Sequence, residues 1–156
     1  MMRVTIISIG KLKESYSKEA EAEYLKRLSV FAKIEIIEHK EIGFTEKDSA
    51  EKIKETEAEI ILNSIPTSSY IIALDPKGKS YTSEELSKNL ESLEQNYSHL
   101  TIIIGGPLGL HESIFKKTNL KLSLSTLTFT HQMTRVIILE QIYRAYMIKS
   151  GKSYHH

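Results

Sequence analysis

Four short runs of aliphatic and β-branched residues recur along this chain, at 4–9, 34–37, 69–74 and 100–104, and the stretches between them repeat apolar residues at helical intervals. Runs this short and this continuously apolar are strands covered on both faces rather than half-exposed ones. Between the first two, Tyr16, Ala20, Tyr24, Leu28 and Phe31 mark one side of a helix. Thr45-Glu-Lys-Asp48 reads as the start of a second, which carries Ile53, Ile60 and Ile61 and closes at Pro66. The third strand turns at Asp75-Pro-Lys-Gly78, and Thr82 with Glu85 has the form of a capping box ahead of Leu86, Leu90 and Leu93. Strand–helix alternation of this kind needs crossover connections, so the expected fold is α/β: an open, mostly parallel sheet with helices on both faces.

The fourth strand ends abruptly at Gly105-Gly106, with Pro107 and Gly109 close behind. Two readings fit: a tight turn and nothing more, or a ligand lying against main chain at the carboxyl end of a strand, where a missing Cβ permits close approach. Beyond it a short helix is expected at about 112–117 and an alternating strand at 120–124. A hydroxyl-rich loop at 125–130 leads to a long helix at 131–150, closed by Gly151. The apolar positions of that last helix exceed one stripe. It is therefore buried on two sides, either within its own core or against a second subunit.

A chain of 156 residues is read as one domain, 1–156. It has no cysteine, which excludes disulfides, thiolate nucleophiles and Cys-ligated zinc. The first apolar run is too short for a leader peptide and no run is long enough for a membrane span, so a cytoplasmic location is expected. Residues 113–156 hold seven Lys or Arg against one acid, although the whole chain carries only +1. That asymmetry fits a polyanionic partner and equally a solvated face. No P-loop motif is present, and the Gly105-Gly106-x-x-Gly109 spacing is not the dinucleotide fingerprint. His131, His155 and His156 lack companions at ligand spacing, so no metal is expected.

Several segments in order match one family: Ile9-Gly-Lys-Leu12, Gly105-Gly-Pro-Leu-Gly-Leu-His111, Leu122-Ser-Leu-Ser-x-x-Thr-Phe-x-His-Gln-Met-x-Arg-Val136, Glu140-Gln-Ile-Tyr-Arg-Ala145 and the terminal Tyr154-His155. Over its whole length the chain resembles the bacterial RlmH methyltransferases of the SPOUT class. The resemblance implies a C-terminal trefoil knot, a recognised exception to ordinary connection rules. It also implies a homodimer, S-adenosylmethionine as methyl donor, and methylation of N3 of a pseudouridine in a hairpin loop of large-subunit ribosomal RNA on the assembled ribosome.

By motif, the cofactor pocket comprises Leu74, Gly105, Leu124, Ser125, Thr126, Leu127, Thr128 and Phe129. Leu124 and Leu127 read from sequence equally as plain core. Tyr154 and His155 form the implied catalytic pair, Tyr154 orienting the base and His155 taking the N3 proton, since imidazole changes charge near neutral pH. Which of the two handles the proton is open at this stage, and terminal residues otherwise read as a frayed tail. Arg135 and Arg144 are candidates for phosphate contact, or for pairing with Glu140 or another subunit. The chain departs from the family pattern at His156, where Lys or Arg is usual, at Thr130, which replaces a proline but can cap the last helix, and at Thr134, for which the sequence offers no reason. Rival readings are a non-catalytic RNA-binding α/β domain, an enzyme using another nucleotide, and the same scaffold acting on a different RNA.

Overall fold

Ten elements alternate along the chain: β1 (Met2–Ile9), α1 (Ser15–Leu28), β2 (Ala32–His39), α2 (Ala50–Ser64), β3 (Tyr70–Ser80), α3 (Ser83–Asn96), β4 (His99–Ile104), α4 (Glu112–Lys117), β5 (Leu120–Ser123) and α5 (His131–Lys149). This computed structural model describes residues 1–155. His156, one of the departures from the family pattern, lies outside the described residues.

The strands form one five-stranded sheet in the order β2-β1-β4-β3-β5, every neighbouring pair parallel. Period-two alternation divides each strand between two cores. Val4 and Ile6 of β1 and Leu100, Ile102 and Ile104 of β4 face a layer holding Leu28 of α1, Leu86 and Leu90 of α3, and Ile138 and Ile142 of α5. Ile7 and Ile9 of β1 and Ile103 of β4 face the opposite layer, with Ala58 and Ile61 of α2 and Ile114 of α4. Each fully buried isoleucine contributes about 2 kcal/mol of transfer free energy. The expected alternation and two-faced burial are therefore present, and the sheet is parallel throughout.

Local chemistry sets the helix ends. Thr82 and Glu85 form the reciprocal capping box of α3, and Thr130 caps α5 by accepting from the Met133 N–H at 3.2 Å. Gly151, at φ +67°, closes α5 as expected. Two boundaries differ from the sequence reading. Helix α2 starts at Ala50 under Ser49, because Thr45 and Asp48 satisfy each other in a separate turn, Thr45 N–H donating to Asp48 Oδ2 at 2.6 Å. Strand β3 does not end at 75–78. Both Leu74 and Lys79 pair with Leu122, so these four residues bulge out and the strand resumes beyond them.

Helix α5 packs beside α3, with Ser87 Oγ donating to the Ala145 carbonyl at 2.7 Å, and its Tyr146 stacks on Phe31 at 5.1 Å. Arg135 overturns its reading as a phosphate contact. Its side chain is only 4% exposed, and its guanidinium is shared between Glu21 of α1 and Glu38 of β2, the latter at 2.6 Å. A cation so enclosed has no surface left to offer a phosphate. Arg135→Ala would strand two carboxylates around an emptied site, with an expected loss of about 3 kcal/mol in urea unfolding. Arg135→Lys should recover only part of it, since one ammonium lacks the planar fork that serves both acids. A loss below about 1 kcal/mol would contradict the enclosed pairing.

Candidate active site

All five strands point their carboxyl ends to the same side of the sheet, and there the chain makes an unusual crossing. After β5, at one edge, residues 124–130 pass over the ends of β3 and β4 and deliver α5 to the end of β1. Gln132 Oε1 accepts from the Lys13 N–H at 2.9 Å, and the His131 ring lies against Gly10. A Cβ on Gly10 would sit 2.8 Å from His131 Nε2, and Gly10 also has φ +99°. Only glycine accommodates both demands.

Beneath the crossing lies a cavity of about 610 Å³. Leu74, last before the bulge of β3, and Gly105, first after β4, stand on its wall, while Leu124, Ser125, Leu127, Thr128 and Phe129 come from the crossing segment. Thr126 is exposed and is not among the lining residues. Leu127, read from sequence as either pocket or plain core, is 71% exposed at the rim, which removes the core reading. Leu124 is half-buried against the α3/α5 core and faces the cavity as well.

The glycine turn is shaped by what a side chain would meet. A Cβ on Gly105 would stand 2.9 Å from Leu110 Cγ, and one on Gly106 would stand 3.1 Å from Glu57 Oε2. Glu57 is buried behind the turn, and that burial, with a smaller contribution from the charge of Glu41, pushes its carboxyl above the ordinary range. Gly109, at φ +84°, returns its N–H to the Gly106 carbonyl at 3.0 Å and so folds Leu110 back onto Gly105. The wall thus combines main chain from several strand ends with apolar side chains, as small-molecule sites do. Sequence reasoning missed Asp75, Leu110, Phe115 and His131, all on this wall. The available signal was position for Leu110 and His131, which lie in or just beyond segments leaving the carboxyl ends of β4 and β5; Phe115, inside α4, gives no such signal.

Tyr154 and His155 are brought together, but not at the cavity. The Tyr154 hydroxyl donates to Glu140 Oε1 at 3.2 Å, its ring meets the edge of Tyr143 at 4.9 Å, and Arg144 lies over it. Burial first, then the bond to Tyr24 and the Glu140 charge, raises the Tyr154 phenol well above its ordinary range and keeps it protonated. The His155 ring is held at both nitrogens, by Arg144 Nη1 at Nδ1 (3.0 Å) and by Glu84 Oε1 at Nε2 (2.8 Å). A guanidinium only donates, so Nδ1 is the accepting nitrogen and the proton sits on Nε2. Arg144 also pairs with Glu140 at 2.6 Å, the alternative open to it from sequence. Along α5, Thr134 lines the cavity. Glu140 follows six residues later, about 9 Å along the axis and about 240° around it. Within one chain, then, the tail and the cavity face different sides. Among the described residues no group of three or more His, Asp or Glu could hold a metal ion, and no helix is long and apolar enough to cross a membrane.

A parallel α/β sheet with a main-chain-lined cavity under a late crossing segment is a frame that holds a small molecule at its strand ends. The family model described as "Predicted SPOUT methyltransferase" matches residues 2–155, and the chain belongs to the SPOUT methyltransferase family. It is similar to proteins named Ribosomal RNA large subunit methyltransferase H, each aligned over 99% of both chains. Identity is 48% for the one from Clostridium botulinum strain Alaska E43, 44% for that from Halothermothrix orenii and 47% for that from Streptococcus uberis.

The seating of α5 on Gly10 is open to a direct check. Gly10→Ala is expected to cost about 2 kcal/mol in urea unfolding, from backbone strain and from the clash with His131. In a His131→Ala background roughly half of that cost should disappear. Strictly additive losses in the four-variant cycle would mean that the two residues do not meet.

Proposed function

We propose that the chain uses S-adenosylmethionine to methylate N3 of a pseudouridine in a hairpin loop of large-subunit ribosomal RNA. It does so as a homodimer of one-domain subunits, 1–156, in the cytoplasm where ribosomes are assembled. The observation that carries this reading is the cavity at the strand ends. Its volume, about 610 Å³, falls within the span typical of small-molecule sites. Its composition fits an adenosyl group: peptide edges at Leu74, Gly105 and the crossing segment can bond the adenine and ribose, while Leu124 and Leu127 can cover the ring faces. Gly105 lets Leu110 fold directly against its main chain, and the two residues together form one wall of the cavity. The names of the relatives supply the substrate class. We read the crossing at 124–130 as the threaded segment of a trefoil knot, on the support of the family and of its path over β3 and β4.

When bound, the donor supplies an electrophilic methyl carbon on a cationic sulfur. The chain's own residues must present the base in line with that carbon and remove one proton from N3. Tyr154, kept protonated, is suited to stack on or hydrogen-bond the base and not to act as a base itself. His155 takes the N3 proton at Nδ1 once the base has displaced Arg144 from that nitrogen, with Glu84 holding the proton on Nε2 and so fixing the tautomer. Because the tail lies off the cavity in its own chain, the tail of one subunit completes the pocket of the other. Helix α5 offers a face for that contact: Met133 is 50% exposed, and Val136, Ile137 and Ile148 are only partly buried. With Arg135 enclosed, exposed Lys116, Lys117 and Lys121 are left to meet phosphate.

Mixing two crippled subunits tests the shared site. Gly105→Ala damages the pocket, and the double change Tyr154→Phe with His155→Ala damages the tail. Either homodimer should fail to methylate ribosomes from a strain lacking the gene, read by mass spectrometry of pseudouridine N3. A random mixture should recover about a quarter of wild-type activity, because half its dimers carry one intact composite site. No recovery would place pocket and tail in the same subunit. Absence of donor binding by the wild-type dimer would favour the non-catalytic RNA-binding reading. Donor binding with no change at the pseudouridine would favour a different RNA.

A further inference from the structure

Among the described residues that line the cavity, Asp75 is the one carboxylate, and neither Lys nor Arg is present. It heads the four-residue bulge of β3, where Leu74 and Lys79 share Leu122 as partner. Two bonds fix that bulge against the wall. Asp75 Oδ1 accepts from the Lys77 N–H at 3.0 Å, and the Pro76 carbonyl accepts from Ser123 Oγ, at the end of β5, also at 3.0 Å. The first bond uses one carboxylate oxygen and leaves the other for a ligand. Around it the wall is apolar, with Leu110, Phe115, Leu124 and Phe129. In such surroundings a fixed charge acts more strongly than it would in water.

The donor and its demethylated product share adenine, ribose and amino-acid groups. They differ in one methyl and one charge, the sulfur being cationic before transfer and neutral after it. Peptide edges and leucine faces contact the shared parts and separate the two molecules poorly. We propose that Asp75 reads the sulfonium charge and makes the pocket prefer S-adenosylmethionine over S-adenosylhomocysteine. The inference rests on the donor assignment above and adds to it a specificity-determining residue. It also supplies a reason for the product to leave. On transfer the S–CH3 bond breaks and its electron pair stays on sulfur, as the methyl bonds N3 and the N3 proton passes to His155. The attraction to Asp75 then ends in the same event.

Calorimetry on the wild-type protein and on Asp75→Asn, with S-adenosylmethionine, S-adenosylhomocysteine and sinefungin, tests this. In sinefungin an ammonium-bearing carbon replaces the methylated sulfur. Asp75→Asn should weaken the two cationic ligands about tenfold and change the neutral product by less than about twofold. An equal loss for all three would assign Asp75 to ribose or to the shared amino group, and no change in any would leave it a turn residue; either result overturns the proposal. Wild-type protein gives a check free of any folding defect, since it should bind sinefungin more tightly than the neutral product. Equal wild-type affinity for all three overturns this inference alone, and uptake of none overturns the donor assignment with it.

Discussion

Strand β3 is hydrogen-bonded in parallel on both sides, to β4 and to β5, and the site depends on that double pairing. Ala73 lies opposite Ile103, and Leu74 lies opposite Leu122, so the bulge of β3 and the ends of β4 and β5 stand at one level. Parallel pairing sends all their carboxyl ends the same way, which is why the glycine turn after β4 and the segment after β5 meet instead of lying on opposite sides of the sheet. A one-residue slip of β5 would turn Leu122 out of the core and move Leu124 off the wall. Core packing and pocket geometry are thus enforced by the same register.

The crossing segment covers this level and hands the chain to α5, whose position is fixed at both ends by contacts that tolerate little change. At its start the His131 ring occupies the space left by Gly10. One turn further on, Arg135 is clasped by acids from α1 and β2. A buried ion triad of this sort adds little stability relative to apolar packing, but it fixes the placement of the helix once the partners exist. The placement matters because α5 carries Thr134 on the cavity and Glu140 and Arg144 beneath the Tyr154–His155 tail. One rigid helix therefore sets where the pocket is and where the tail is held.

The sheet, both helical layers and most helix ends were legible in the sequence, because strand hydrophobicity, capping residues and terminal glycines act locally. What escaped was set by distant partners. The bulge at 75–78 looks like an ordinary turn, and only the shared partner Leu122 shows that the strand continues. Arg135 belongs to a basic third of the chain, and nothing near it in sequence announces Glu21 or Glu38. The cavity lining was legible in part: Gly105 and most of 124–129 line it, Thr126 does not, and Asp75 comes from the bulge of the neighbouring strand, about thirty residues earlier in the chain. The tail was recognised as a pair, yet its separation from the pocket follows from helix geometry and from where Glu84 stands, neither of which local sequence carries.

Main chain at the β3 bulge and at the ends of β4 and β5 is proposed to wrap an adenosyl methyl donor. Titrating isotope-labelled protein with S-adenosylmethionine and following its amide resonances tests it most directly. Saturable shifts are expected to concentrate at Asp75, Gly105, Gly106 and residues 124–129. Shifts confined to the opposite end of the sheet, around Met2, Phe31 and Asn96, or no saturable shifts at all, would contradict it.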